Sequence, residues 1–322
     1  MIDIENKCLN NVTYIDLFCG IGGFHLALSS FGAKCVFASD IDGKARKVYQ
    51  ENFGIEPAGD ITKIKNSEIP PHDFLCAGFP CQPFSISGNQ NGFDDPHGKL
   101  FYQIIRIARF HKPKILLLEN VKNLKTHNNS KTITEIRKQL NQIGYDVYDE
   151  LLTASDFGVP QARERLYIVA FKKNLKVKSF TFPKVKNKTS CLREILYDEA
   201  DKYDVSVKRE YTKNEKPLHR KGLIQVARIG KGRQGERIYS QDGYATTLSS
   251  QSGGLGGKTG MYYVDGSVRK LYPRECARLM GFPDNFKYAK EISSAYKQFG
   301  NSVVVDVLQY ILKEIITQLK NL

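Results

Sequence analysis

The first half of the chain alternates short apolar runs with segments whose apolar residues recur every three or four positions. Residues 13–18 (TYIDLF) read as a strand entering a glycine-rich turn, and 24–30 continue as a helix. Residues 33–38 form a second strand pattern, followed by a helical one over 44–52. Residues 74–77 and 115–118 are further apolar runs, the latter after a helical stretch from 100 to 110. Helical spacing returns at 131–143, and 145–152 and 166–171 read as strands. Strands alternating with helices predict an α/β domain with a doubly wound, mainly parallel sheet covered on both faces.

Past residue 171 the pattern changes. Residues 172–188 carry seven lysines and no acidic residue, with Pro183 inside, which reads as a solvated connector. From 216 to 272 there are ten Lys/Arg against three acidic residues. Runs such as RIGKGRQGERIYS and SSQSGGLGGKTG make this stretch glycine-rich and poor in helical periodicity. A smaller, loop-rich second domain is expected over 189–272, with strands such as 261–264. Helical patterns at 273–280 and 303–319 bring the chain back, so the first domain is expected to comprise 1–188 plus 273–322.

Composition narrows the class. Hydrophobic residues are 41% and charged residues 25% of the 322, as in globular proteins rather than disordered chains. No apolar stretch approaches the ~20 residues that span a bilayer, and no basic-then-apolar leader opens the sequence. A cytoplasmic protein without a membrane partner is expected. The net charge of +14 favours a polyanionic partner, most commonly nucleic acid. Seven cysteines without a C-x-x-C pair argue against a disulfide framework or a zinc site. A cysteine with a chemical task must therefore show it through its neighbours.

Four places could hold chemistry. In the first, Asp16-Leu-Phe-Cys-Gly-Ile-Gly-Gly-Phe24, glycines follow a strand and open a helix, so backbone can approach a ligand closely. Asp40 lies 20 residues after Gly20 at the end of the next strand, where ribose hydroxyls need an acceptor, and Asp60 follows the turn after that. The turn contains no Lys or Arg, which disfavours a pyrophosphate and suits a ligand with a ribose and a cationic centre, such as S-adenosylmethionine. The second place is Gly78-Phe-Pro-Cys-Gln-Pro-Phe-Ser85, a cysteine between two prolines at a parallel strand's carboxyl end. A lone cysteine is more often a buried core residue, but the stiff frame and the polar loop SISGNQNGFDDPHGK favour a reactive thiol under a closing loop. The third, LLLENV, puts Glu119 and Asn120 after an apolar strand at the same sheet edge; alone, Glu119 would read as a surface or capping residue. In the fourth, Gln161-Ala-Arg-Glu-Arg165, Arg163 and Arg165 share one face of extended chain, as a plain charged edge strand also would.

Taken in order, FCGIGGF, GFPCQPFS, ENV, QARER, RECARLMGFPDNF and QFGNSVV resemble the motif series of bacterial cytosine-C5 DNA methyltransferases of restriction–modification systems, from about residue 13 to 307. Within that family the chain is most similar to the GCGC-recognising type, including ISGNQNGFDD and GQGERIYS. The resemblance implies the S-adenosylmethionine-dependent methyltransferase fold. It also implies methyl transfer from that cofactor to C5 of a flipped-out cytosine in duplex DNA, with no metal. Cys81 would attack C6, Glu119 would act as the acid at N3, Asn120 would hold the Pro80–Cys81 loop, and Arg165 with Arg163 would bind O2 and neighbouring negative charge. Carried over to cofactor binding are Phe18, Cys19, Gly20, Ile21, Gly23, Asp40, Asp60 and Ile61, with Gly78, Pro80 and Asn301 near the methionine part. Ile41 replaces an aromatic that stacks on adenine. Gln234 and Ser87 would fill the vacated stack and Ser85 would touch the backbone. Arg237 would read guanine, and Thr247 belongs to a threonine–leucine element of the recognition region. The segment SSQSGGLGGKTG departs from the GCGC type, which leaves the target open. A monomer paired in function with a cognate endonuclease is implied. Three rival readings are an RNA methyltransferase, a silent DNA-binding relative and a nucleotide-dependent oxidoreductase.

Overall fold

The computed structural model describes residues 8–80, 100–185, 190–197, 199, 202–251 and 253–320. Cys81, Ser85 and Ser87 lie outside the described residues. Contacts divide the chain into two units, one of 1–152, 164–184 and 307–322 and another of 153–163 and 185–306. Residues 273–306 thus group with the second unit.

In the first unit, β1 (Thr13–Leu17), β2 (Lys34–Ser39), β3 (Phe74–Gly78), β4 (Ile115–Val121), β5 (Tyr145–Thr153) and β6 (Glu164–Lys172) form one sheet in the order β2-β1-β3-β4-β6-β5. The pairs β1–β2, β1–β3 and β3–β4 are parallel, as near-continuous apolar strands flanked by helices should be. β6 follows β5 without a crossover helix and runs antiparallel to β4. The connecting helices are α1 (Gly23–Ser30), α2 (Gly43–Phe53), α3 (Phe101–His111), the short α4 (Asn123–Thr126) and α5 (Lys131–Gln142). Asp42 caps α2 by accepting from the Lys44 and Ala45 amides, and Gly54 ends it in the left-handed region. Between sheet and helices, Ile15, Leu75, Leu116 and Ile168 pack with Ile104, Ile107, Ile133 and Ile136 in one core.

The lysine-rich stretch after β6 is more than a solvated connector. Val177, Phe180 and Phe182 are buried. The Phe180 ring lies 5.3 Å from Phe171 and 5.8 Å from Tyr148 between centroids. Lysine stems leave these apolar residues free to anchor the segment.

The second unit contains β7 (Thr212–Arg220), β8 (Leu223–Arg228), β9 (Arg237–Ser240), β10 (Met261–Val264) and β11 (Ser267–Arg269), in the order β11-β10-β9-β8-β7. Ala227, Ile238, Met261 and Val268 make its sheet core. Helices α6 (Pro273–Leu279) and α7 (Ile292–Asn301) follow, with Pro273 at the favourable first-turn position of α6. The last helix, α8 (Val305–Lys320), belongs to the first unit from Val307 onward. Among the described residues no helix is long and apolar enough to cross a membrane.

Candidate active site

The glycine turn is built from left-handed backbone. Phe18 leaves β1 with φ +55°, Gly20 has +53° and Gly22 +91°. For Phe18 this is a strained conformation of the kind that collects at ligand sites. Gly22 has a second reason to lack a side chain: a Cβ there would lie 2.2 Å from Phe53 Cε2. Over Gly20, by contrast, nothing lies within 4 Å of a Cβ. Asp40, just past β2, accepts from the Gly20 amide at 2.8 Å and the Asp42 amide at 2.8 Å. Its carboxylate therefore ties the turn to the next strand end. Cys19 N–H donates to the Ser39 carbonyl at 3.0 Å, adding a second tie. Ile41 is 76% exposed, Ile61 is buried, and Asp60 caps a short 3-10 turn by accepting from Thr62. Thr62 holds the Asp60 carboxyl below the usual carboxylate range.

Asp16 opens the glycine-turn motif, but its position in the sequence suggests no role. It is fully buried in β1, opposite Ala38 of β2 and Cys76 of β3. Among the described residues no side chain satisfies its carboxyl oxygens, and only the His25 backbone amide favours the charged form. Burial, and next the charge of Asp40, push its carboxyl well above the usual range. The only available sequence signal was an acid inside an otherwise apolar strand.

The strand ends bring Gly78–Pro80, the described start of the second candidate place, beside the third. In the parallel register of β3 and β4, Gly78 stands opposite Glu119. Asn120, buried beside it, donates through Nδ2 to the Phe79 carbonyl at 3.1 Å and accepts from the Val121 amide at 2.9 Å. The chain is thus gripped one residue before Pro80 and two before Cys81. From β6, Arg165 faces Val121, and its Nε lies 3.2 Å from Glu119 Oε1. Both side chains are largely withdrawn from solvent, which strengthens a charged contact relative to a surface pair. Burial pushes the thiols of Cys19, Cys76 and Cys276 well above the usual range and that of Cys35 up to about 11. Such burial disfavours the thiolate, the form in which a cysteine acts as a nucleophile.

Within the second unit, Arg163 is buried and donates to three carbonyls, of Leu248 at 3.0 Å, Gly300 at 3.3 Å and Ser302 at 2.6 Å. Such a donor set holds backbone segments together. Asn301, adjacent to two of these acceptors, ends α7 with an exposed side chain. Thr247 donates to the Ala162 carbonyl, in the same unit. Gln234 is exposed in a short 3-10 turn, and Arg237 Nε donates to the Gly232 carbonyl at 3.1 Å. The Gly256 amide donates to the Gly235 carbonyl at 3.0 Å, so the segment that departs from the GCGC type is tied to the Gln-Gly-Glu-Arg turn.

Comparison with known proteins places these features in context. A family profile described as C-5 cytosine-specific DNA methylase matches residues 12–317. The type II methyltransferase M.HhaI of Haemophilus parahaemolyticus is 47% identical over 314 residues, covering 97% of this chain and 96% of that protein. The type II methyltransferase M.HpaII of Haemophilus parainfluenzae is 40% identical, covering 96% and 90%. Among solved structures, the S. pombe Dnmt2 methyltransferase superposes with a TM-score of 0.73 at 23% identity, covering 97% of this chain and all of that one, a likeness of fold.

Proposed function

The chain belongs to the C-5 cytosine-specific DNA methylase family, and from that premise we propose that Cys81 attacks C6 of a cytosine flipped out of duplex DNA. The observation that carries this reading is the grip of Asn120 on the Phe79 carbonyl, beside the register pair Gly78–Glu119. It holds the end of β3, from which the chain continues to Pro80 and Cys81, next to an acid. Cytosine C5 is a poor nucleophile. Addition of the thiolate at C6 forms an S–C bond and moves the ring electrons toward C5 and N3, where Glu119 delivers a proton or hydrogen bond. Arg165 fixes the Glu119 carboxyl at the sheet edge and reaches for O2. Arg163 acts at one remove, by holding backbone. After methylation, a base, water if no side chain serves, takes the C5 proton, the C5–C6 double bond re-forms, and the S–C6 bond breaks to release Cys81 as a thiolate.

S-adenosylmethionine supplies an electrophilic methyl group on a sulfonium. The left-handed turn, open above Gly20 and free of Lys and Arg, fits such a ligand better than a phosphate. Phe18, Cys19, Gly20, Ile21, Gly23 and Asp40 would hold it, with Ile41, Asp60 and Ile61 at the adenine side and Gly78, Pro80 and Asn301 at the methionine side. Exposed Ile41 offers less surface to an adenine than an aromatic ring does.

The chain acts as the protective methylase of a restriction–modification system, a monomer paired in function with a cognate endonuclease. GCGC is the proposed target, with Gln234, Arg237, Thr247, Ser85 and Ser87 at the DNA. Duplex DNA containing 5-fluorocytosine at the target should trap a covalent adduct when S-adenosylmethionine is present, and Cys81→Ala should abolish it. No adduct with the wild type on any such DNA would overturn the mechanism. Bisulfite sequencing of a host expressing the protein reads the target, and methylation confined to another motif would refute GCGC.

A further inference from the structure

The hairpin β7–β8 carries charge that the proposed chemistry leaves unused. Residues 208–221 hold six Lys/Arg against two Glu. Nearly every residue of β7 is exposed, including Leu218 at 58%. Among the described residues, the side chains of Arg209, Lys216, Arg220 and Lys221 have no ion pair or hydrogen-bond partner. β7 is the last strand of its sheet, so its outer edge is unpaired there.

Its position is defined from within the unit. Thr212 pairs with Arg228, and Arg228 pairs with Arg237, so one row across three strands joins the start of β7 to the candidate guanine reader. From that row the hairpin leads away to the turn at Lys221 and Gly222. Both turn residues have positive φ, as a two-residue hairpin connection of the primed type requires. Along β8 the reach is about 20 Å at ~3.3 Å per residue, or roughly six base pairs of duplex at 3.4 Å each. The register shifts between Lys213 and Leu218, so residues 214–217 bulge from the edge, and Asn214 pins the bulge to the Gln225 carbonyl at 3.1 Å. Lys216 lies within the bulge and is exposed.

We propose that the β7–β8 hairpin is a second DNA-contacting surface, which binds phosphates flanking the recognition sequence through Lys216, Arg220 and Lys221. It rests on the reading that duplex DNA is the substrate. A competing account of the same charges is edge protection, in which lysines and Pro217 keep a bare strand from pairing with another chain.

The test compares GCGC-centred duplexes of about 12 and about 30 base pairs, chosen to end before and beyond the hairpin's reach. Affinity is measured against salt for the wild type and the triple variant K216Q/R220Q/K221Q. The wild type should bind the longer duplex more tightly. The variant should match it on the short duplex, but bind the long one roughly tenfold or more weakly at physiological salt, with a salt slope smaller by about 2–3. Equal loss on both duplexes, or no loss on either, overturns the proposal. If the variant aggregates while its DNA binding is unchanged, the charges guard the edge and the proposal also fails. A wild type that gains nothing from the longer duplex overturns this proposal alone; one that binds neither removes the methylation reading with it.

Discussion

Asp16 lies inside the first unit with no cation near it. The groups that shift or share its surroundings are Asp40, Tyr14, Cys19, Cys35, Tyr49 and Cys76, all acidic or neutral, and the His25 backbone amide; burial lowers the His25 imidazole to about 4 and so keeps it uncharged above that pH. Burial and the Asp40 charge raise its folded-state carboxyl well above the unfolded value of about 3.9. Above that value the folded protein holds a proton that the unfolded chain has released. Stability therefore falls as pH rises from about 4 toward the folded pKa, by at most about 1.4 kcal/mol per pH unit for this one group. Asp16→Asn removes the titration, and any misfit of the buried amide is independent of pH. In thermal unfolding without cofactor, the variant should gain on the wild type as pH rises above about 4, until the folded carboxyl ionises. A pH-independent difference in melting temperature would contradict the assignment.

At the scale of elements, the entry to α1 is the most constrained point of the first unit. Phe53 of α2 is stacked on His25 of α1 with ring centroids 3.9 Å apart, so it cannot swing aside for a methyl group at Gly22. Positive φ and overpacking together predict that Gly22→Ala loses about 2–4 kcal/mol in denaturant unfolding. Gly20→Ala, with open space above it, should lose about 1 kcal/mol from strain alone. Equal losses at the two positions would show that packing against Phe53 is not the cause. This turn, β1–β4 and the helices between them were legible in the sequence, because buried parallel strands are unbroken apolar runs and amphipathic helices keep their period. β7 was not legible, since TKNEKPLHR has no apolar alternation and contains a proline. An edge strand with both faces wet leaves no such pattern. The anchoring of Phe180 and Phe182 was hidden by the lysines around them. Arg163 and Arg165 were read as a pair from their spacing. Their separate partners, three carbonyls and Glu119, depend on chain segments that spacing cannot identify.

Across the whole molecule, the first unit is completed by its most distant segment. α8 buries Val307, Leu308, Ile311, Leu312, Ile315 and Ile316, and Gln309 donates to the Ser30 hydroxyl of α1 at 3.1 Å. At about 1.5–3 kcal/mol per buried aliphatic side chain, these six contribute about 9–18 kcal/mol, as much as the whole net stability of an ordinary domain. A stop codon after residue 304 should therefore yield protein that fails to fold, seen as loss of soluble material and of a cooperative melting transition. A truncated chain that melts cooperatively near the wild-type temperature would disprove this. The same arrangement sets a schedule for biosynthesis. The six-stranded sheet is fully synthesised before residue 185, yet the last helix of its unit leaves the ribosome only after the 122 residues of 185–306. At about 5–20 residues per second that is an interval of roughly 6–24 seconds. Throughout it the nascent chain exposes the apolar surface meant for α8, so this is the window in which chaperone capture or aggregation would decide the yield of active enzyme.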